Sequence, residues 1–258
     1  MVVPLLNPDK DIFLNRKKRR IRILNSGDRG ILLEFGKGIS PKINQRIRSF
    51  FSLMQKDKIP GIIEVLPGYR SLLICYDPLL VEIRSLMKEI RQMEERIEEK
   101  PYEKGRKITI PVVYGEEFGP DLEGVAKIHG MEKEEVIELH QRPDYLLYMF
   151  GFAPGFPLLG GLPRKIVTPR LKTPRLRVPA GTVGIGNAQT GVYTIESPGG
   201  WQLIGRTPLK LYDPTQDETV ILSIGDIVKF KRIDEEQYRL ISQRVESQQE
   251  GLKNYIEG

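Results

Sequence analysis

The segment Gly181-Thr182-Val183-Gly184-Ile185-Gly186-Asn187-Ala188-Gln189-Thr190-Gly191 decides the fold class of this 258-residue chain. Its glycine density superficially matches a dinucleotide-binding fingerprint. Such a fingerprint must open a helix whose N-terminus holds the phosphates. Here Val192-Tyr193-Thr194-Ile195 follows, which reads as a strand, and the glycine spacing is wrong. The segment is therefore a Gly-rich hairpin with Gln189 and Thr190 at its tip, where both can meet a ligand. A mostly β domain replaces the nucleotide-binding fold.

The neighbouring texture agrees. Residues 151–208 hold 8 of the 19 prolines and 11 of the 25 glycines, a density that makes turns between short strands. Upstream, Ile108, Ile110 and Val112 mark a strand over 107–114. Short helices are predicted over 122–128 and 133–140, the second with Val136 and Leu139 on one face. An apolar strand covers 145–152. Downstream, 220–233 reads as a strand, a Gly225-Asp226 turn and a second strand. Residues 107–233 thus form a barrel-like β domain. A surface helix over 235–250 begins a C-terminal segment, 235–258.

Residues 20–100 read differently. A strand at 31–35 precedes Ser40-Pro41, an N-cap and first-turn proline. Ile43, Ile47, Phe50, Phe51 and Met54 then recur at helical spacing. Strands at 61–66 and 70–76 flank a Pro67-Gly68 turn. Asp77-Pro78 is read as the start of a second helix with Leu79, Leu80, Ile83, Met87, Ile90 and Ile97 inward. The whole is an α+β chain: a small α/β sandwich, a polar linker at 101–106, and a β-barrel.

Composition narrows the function. The chain is 40% hydrophobic and 29% charged, as an ordinary globular protein is. A single cysteine, Cys75, excludes an internal disulfide, and two histidines with it argue against a metal site. No apolar run is long enough to span a membrane, and the short apolar start breaks at Asn7, so a cytoplasmic location is expected. The net charge of +6 resolves into two blocks. Arg16, Lys17, Lys18, Arg19, Arg20 and Arg22 form one. The other lies in 145–195, which has six Lys and Arg and no acid. Without these twelve charges the remainder carries −6. The first block lacks an aromatic platform, so a nucleic-acid partner is not expected.

Within the second block, Pro169-Arg170-Leu171-Lys172-Thr173-Pro174-Arg175 is stiffened by prolines. It reads either as an anion-binding loop, or as a solvated basic loop or one whose arginines pair with distant acids. Gly200 to Thr207 has P-loop spacing, but Arg206 replaces the lysine and Pro208 follows where a helix should continue. His140 ends a predicted helix. It is either a cation favoured by the helix dipole or a general acid/base. No G-x-S-x-G elbow is present. Trp201 reads as a core or pocket-wall aromatic.

The runs YLLYMFGFAPGF (145–156), VPAGTVGIGNAQTGVY (178–193) and SPGGWQLIGRTP (197–208), with the Pro-Arg pairs at 169–175, resemble the KipI / allophanate hydrolase subunit 1 family. The resemblance covers roughly residues 20–233. It implies a cyclophilin-like β-barrel after the small α+β domain. It also implies a role as the B subunit of an ATP-dependent 5-oxoprolinase, which opens 5-oxoproline to glutamate; the chain would be inactive alone. The implied partners are an allophanate hydrolase subunit 2-like C subunit and a LamB/YcsF-like A subunit. ATP, with Mg, would be bound by the complex, with no metal site in this chain. Other members inhibit a sensor histidine kinase or form part of urea carboxylase or allophanate hydrolase. By the same resemblance His140 and Arg175 would be catalytic. Arg170, Gln189, Thr190, Tyr193 and Arg206 would bind the small anionic substrate, and Phe152, Pro154, Phe156 and Trp201 would line the pocket.

Overall fold

The computed structural model describes residues 20–38, 40–97 and 105–257. Arg16 to Arg19 of the first basic block, and 101–104 of the linker, lie outside the described residues.

The first domain has four antiparallel strands: β1 (Arg22–Asn25), β2 (Gly30–Glu34), β3 (Ile62–Pro67) and β4 (Ser71–Tyr76), in spatial order β1-β2-β4-β3. Two helices, α1 (Pro41–Asp57) and α2 (Ile83–Arg96), cover one face. Helix α1 starts where the sequence predicts. The Ser40 hydroxyl accepts from the Ile43 amide at 3.2 Å, Pro41 fills the first turn, and Ile47, Phe50 and Met54 are buried. A cap of this kind contributes about 1 kcal/mol.

Helix α2 begins later than the expected Asp77-Pro78. The Asp77 carboxylate accepts from the Leu79 amide, and its carbonyl accepts from Leu80 and Val81, so these residues form a turn. Leu79 and Leu80 are consequently exposed, and the inward stripe is Leu86, Ile90, Met93 and Ile97. Strand β1 has little sequence signal, because the arginines around Ile21 mask its alternation.

The second domain contains β5 (Lys107–Tyr114), α3 (Leu122–His129), α4 (Lys133–Gln141), β6 (Tyr145–Phe150), β7 (Pro157–Gly160), β8 (Arg175–Val178), β9 (Thr182–Gly186), β10 (Gln189–Val192), β11 (Ser197–Gly199), β12 (Gln202–Arg206), β13 (Ile227–Arg232), α5 (Glu235–Glu246) and β14 (Ile256–Glu257). Seven strands close a barrel in the order β12-β9-β10-β7-β6-β13-β5, with β5 returning to β12. The expected hairpin over 220–233 is replaced by one strand. Strand β13 runs parallel to β5 and antiparallel to β6, and Val220 only bridges Tyr212. The chain from α5 returns to the barrel: Leu252 is buried and β14 pairs with the start of β5.

Barrel closure rests on two residue pairs, Gly205 with Tyr114 and Arg206 with Val113. A Cβ at Gly205 would stand 2.6 Å from the Val113 carbonyl oxygen and 2.8 Å from Val112 Cγ1. Glycine is thus required where the strands meet. Gly205→Ala should lower stability by about 1–3 kcal/mol. Urea unfolding will measure this, and hydrogen exchange should quicken at the β5–β12 seam.

Candidate functional site on the outer barrel wall

The barrel pleat sorts the Gly-rich hairpin into two faces. Val183, Ile185 and Val192 point into the main core. Gly184, Gly186 and Gly191 face outward, and the Trp201 indole lies across them. A Cβ at Gly186 would sit 2.5 Å from Trp201 Cε2, and one at Gly191 3.3 Å from Cζ3. The glycines therefore serve an aromatic side chain and not a phosphate. Phe156 and Tyr193 meet the indole edge-on at 5.4 and 6.5 Å, and Val178 and Leu203 complete this outer cluster.

The 169–175 loop is fastened over this cluster. The Leu171 amide donates to the Gly200 carbonyl at 2.7 Å, and Gln202 Nε2 donates to the Pro169 carbonyl at 2.8 Å. The Arg170 guanidinium stands 5.6 Å from the Trp201 ring. Arg170 is exposed and enters no ion pair among the described residues. Nearby, the Ala153 amide donates to the Gly151 carbonyl at 2.8 Å, and Phe152 between them has φ +67°. This is a γ-turn in the left-handed region, a strained arrangement for a bulky residue. It holds Phe152 73% exposed with its ring edge-on to Phe156 at 5.9 Å. Pro154, in the same loop, is exposed, and its carbonyl accepts from the Thr194 hydroxyl at 2.7 Å.

Other expected site residues lie elsewhere. Arg175 pairs with Asp121 at 2.6 Å, and the same carboxylate accepts from the Leu203 amide at 2.7 Å. Asp121 precedes α3 without capping it, so its carboxylate instead binds β8 to β12. The second reading of the loop holds for Arg175: a distant acid neutralises it. Its Nη1 remains buried and unpartnered, as do Arg206 Nε and Ser197 Oγ. Arg206 sits at the far end of β12, its side chain against Gly181. Gln189 is half-buried beside the Asn187 turn. The P-loop-spaced segment is strand β12 and its approach, and no helix follows it.

His140 and Thr190 are fully buried, away from the outer face. Tyr114 Oη lies 2.8 Å from His140 Nδ1, and His140 Nε2 lies 2.9 Å from Thr190 Oγ1. Thr190 donates its one hydroxyl proton to the Gly184 carbonyl at 2.9 Å. It must therefore accept from His140, which places the proton on Nε2 and makes Nδ1 the acceptor for Tyr114. The ring stacks on Phe230 at 4.7 Å. In this position His140 ties α4 to β5 and β10. It has no exposed surface. Burial lowers its pKa from 6.5 to about 3.

Two measurements test this geometry. Trp201 is the single tryptophan, so its fluorescence reports the outer cluster directly. Gly186→Val should shift its emission to the red while far-UV circular dichroism is retained. The neutral His140 stabilises the fold fully above pH 6.5. That stability is lost as pH falls toward 3, because the unfolded chain binds the proton first. The urea-derived stability should drop by about 2 kcal/mol between pH 7.5 and 5 from this group. A His140 ¹⁵N spectrum showing the neutral Nε2–H tautomer throughout that range is the matching observation.

Residues 21–222 match the family model for the carboxyltransferase domain, subdomain C and D. The chain is 45% identical over 229 residues to the 5-oxoprolinase B subunit of Bacillus subtilis, covering 85% of this chain and 95% of the relative. The crystal structure of TTHA0988 superposes with a TM-score of 0.72 at 36% identity. The match covers 80% of this chain and 40% of that one, so the present chain corresponds to less than half of it. The K. lactis urea amidolyase gives a TM-score of 0.72 at 23% identity over 87% of this chain and 15% of its own, which supports the fold alone. The outer aromatic wall and its arginine loop therefore belong to a member of the carboxyltransferase subdomain C and D family, of the kind represented by the 5-oxoprolinase B subunit.

Proposed function

We propose that the chain is the B subunit of an ATP-dependent 5-oxoprolinase, working in a complex that hydrolyses 5-oxoproline to glutamate. The carrying observation is the 45% identity extending over 95% of the 5-oxoprolinase B subunit of Bacillus subtilis. Such a role requires partners. By the same resemblance these are an allophanate hydrolase subunit 2-like C subunit and a LamB/YcsF-like A subunit. The chain is inactive by itself.

A lactam carbonyl is a poor electrophile, and ATP supplies the activation of its oxygen. The described residues do not fit a P-loop cradle, since 200–207 leads into a strand with no helix behind it. The nucleotide is accordingly assigned to the assembled complex. This chain's contribution is to bind and orient the substrate. Arg170 is a charged fork of donors with no acid in place, set on an aromatic wall and suited to a carboxylate. Tyr193 and Trp201 hold that wall, and the strained Phe152 flanks it. Arg175 and His140 act one layer further back, holding β8, β12 and β10 in register.

Reconstitution with the A- and C-type subunits should give ATP-dependent glutamate formation that disappears when this chain is omitted. Arg170→Ala should lower kcat/KM for 5-oxoproline roughly ten- to hundred-fold. Full turnover without this chain overturns the assignment.

A further inference from the structure

A cavity of about 530 Å³ opens where β5 and β13 end, and it shares no residue with the Trp201 cluster or the 169–175 loop. The two strands run parallel, so both carboxyl ends and the starts of α4 and α5 converge on it. Such crevices beyond the carboxyl ends of parallel strands are a recurrent ligand position. Val113, Leu122 and Ile137 give it an apolar floor.

Its walls carry six charged side chains. Two ion pairs span them. Lys133 Nζ meets Glu116 Oε1 at 3.4 Å, joining α4 to the turn after β5, and Arg232 Nη1 meets Glu134 Oε2 at 2.5 Å, joining β13 to α4. The other two acids are engaged elsewhere. The Asp234 carboxylate accepts from the Gln237 amide at the start of α5, and Glu235 pairs with Arg239 at 3.3 Å. The cavity therefore presents two cations and two carboxylates, all four of them exposed. Exposed pairs hold little free energy, so a ligand can exchange into them at small cost.

Glu116 stands at this cavity under strain. Gly115 has φ +79° and Glu116 φ +45°, so two consecutive residues are left-handed. Glycine adopts this region freely and glutamate does not. The exposed pair with Lys133 offsets little of that strain. Backbone strain of this kind collects at ligand-binding positions.

We infer that this cavity binds a free α-amino acid as its zwitterion, with Lys133 and Arg232 taking carboxylate and Glu116 and Glu134 taking the ammonium group. The balance of charge decides the class. Four carboxylates in the lining disfavour a polyanion such as a nucleotide, and the two cations disfavour a simple amine. A molecule carrying both signs exchanges with both ion pairs, while its side chain rests on the apolar floor. The inference rests on the proposed function in naming glutamate, the product of that reaction, as the amino acid. The cavity and its charges do not depend on that reading.

The test is isothermal titration of the full chain with L-glutamate and with glutarate, which has the same two carboxylates and no ammonium group. Glutamate should bind, and glutarate at least about tenfold more weakly. Lys133→Gln should weaken glutamate about tenfold. Glu116→Gly removes the carboxylate and the strain together, so it should weaken glutamate about five- to tenfold while the melting temperature holds or rises. Both side chains are exposed, so either variant carries the test should the other fold poorly. Failure of glutamate to bind, equal affinity for glutarate, or wild-type affinity in either variant overturns the site. Glutamate binding that depends on Lys133 and Glu116, in a chain whose reconstituted complex does not turn over 5-oxoproline, sinks the functional reading and leaves the site standing. Turnover by the complex with no glutamate binding by the chain does the reverse.

Discussion

The indole of Trp201 lies directly on backbone at Gly184, Gly186 and Gly191, and the outer face of the barrel is organised by that contact. No side chain stands between the ring and the strands. Phe156, Tyr193, Val178 and Leu203 can therefore gather around it as a second, external hydrophobic cluster. The 169–175 loop then has a floor to rest on, and its bonds to Gly200 and Gln202 place Arg170 above the ring. Had any of the three glycines carried a side chain, the ring would be lifted and the arginine displaced with it.

Charge is distributed on this face by long-range pairing. The chain from 145 to 195 has no acid of its own, yet Asp121 reaches Arg175 and Glu196 reaches Arg177. Arg177 and Glu196 are both well exposed, so that pair adds little stability. Asp121 matters more, because it also holds the Leu203 amide next to the external cluster. Among the described residues Arg170 enters no ion pair, and its guanidinium stands over the Trp201 ring. Inside the barrel, the directed chain from Tyr114 through His140 and Thr190 to Gly184 satisfies every polar group it buries. Its last acceptor is the carbonyl of a residue whose outward side bears the tryptophan, so the core network and the outer wall share one strand.

Much of this was legible in the chain. The Ser40-Pro41 start, strand β5 and helices α3 and α4 follow from local signals that tertiary contacts do not override. The rejected nucleotide fingerprint was legible because a strand, not a helix, follows the glycines. Local signals are ambiguous where one motif has two uses. Asp-Pro begins a helix or a turn, and at Asp77 its carboxylate closes a turn. Gly225-Asp226 looks like a hairpin, but β13 finds its main partner in β5, more than a hundred residues away. Asp121 carries no signal at all, since its partners lie in segments distant in sequence.

By itself the sequence determined an α+β chain with a Gly- and Pro-rich β domain, an acid-free basic loop and a family. These depend on periodicity, turn chemistry and ordered motifs, all properties of neighbouring residues. Only the tertiary structure decided which charged and polar groups remain available. It drew Arg175 to Asp121 and sealed His140 and Thr190 in the core. The reason is physical: an ionisable group's availability depends on what surrounds it in space, and barrel closure brings together residues that the chain order keeps apart.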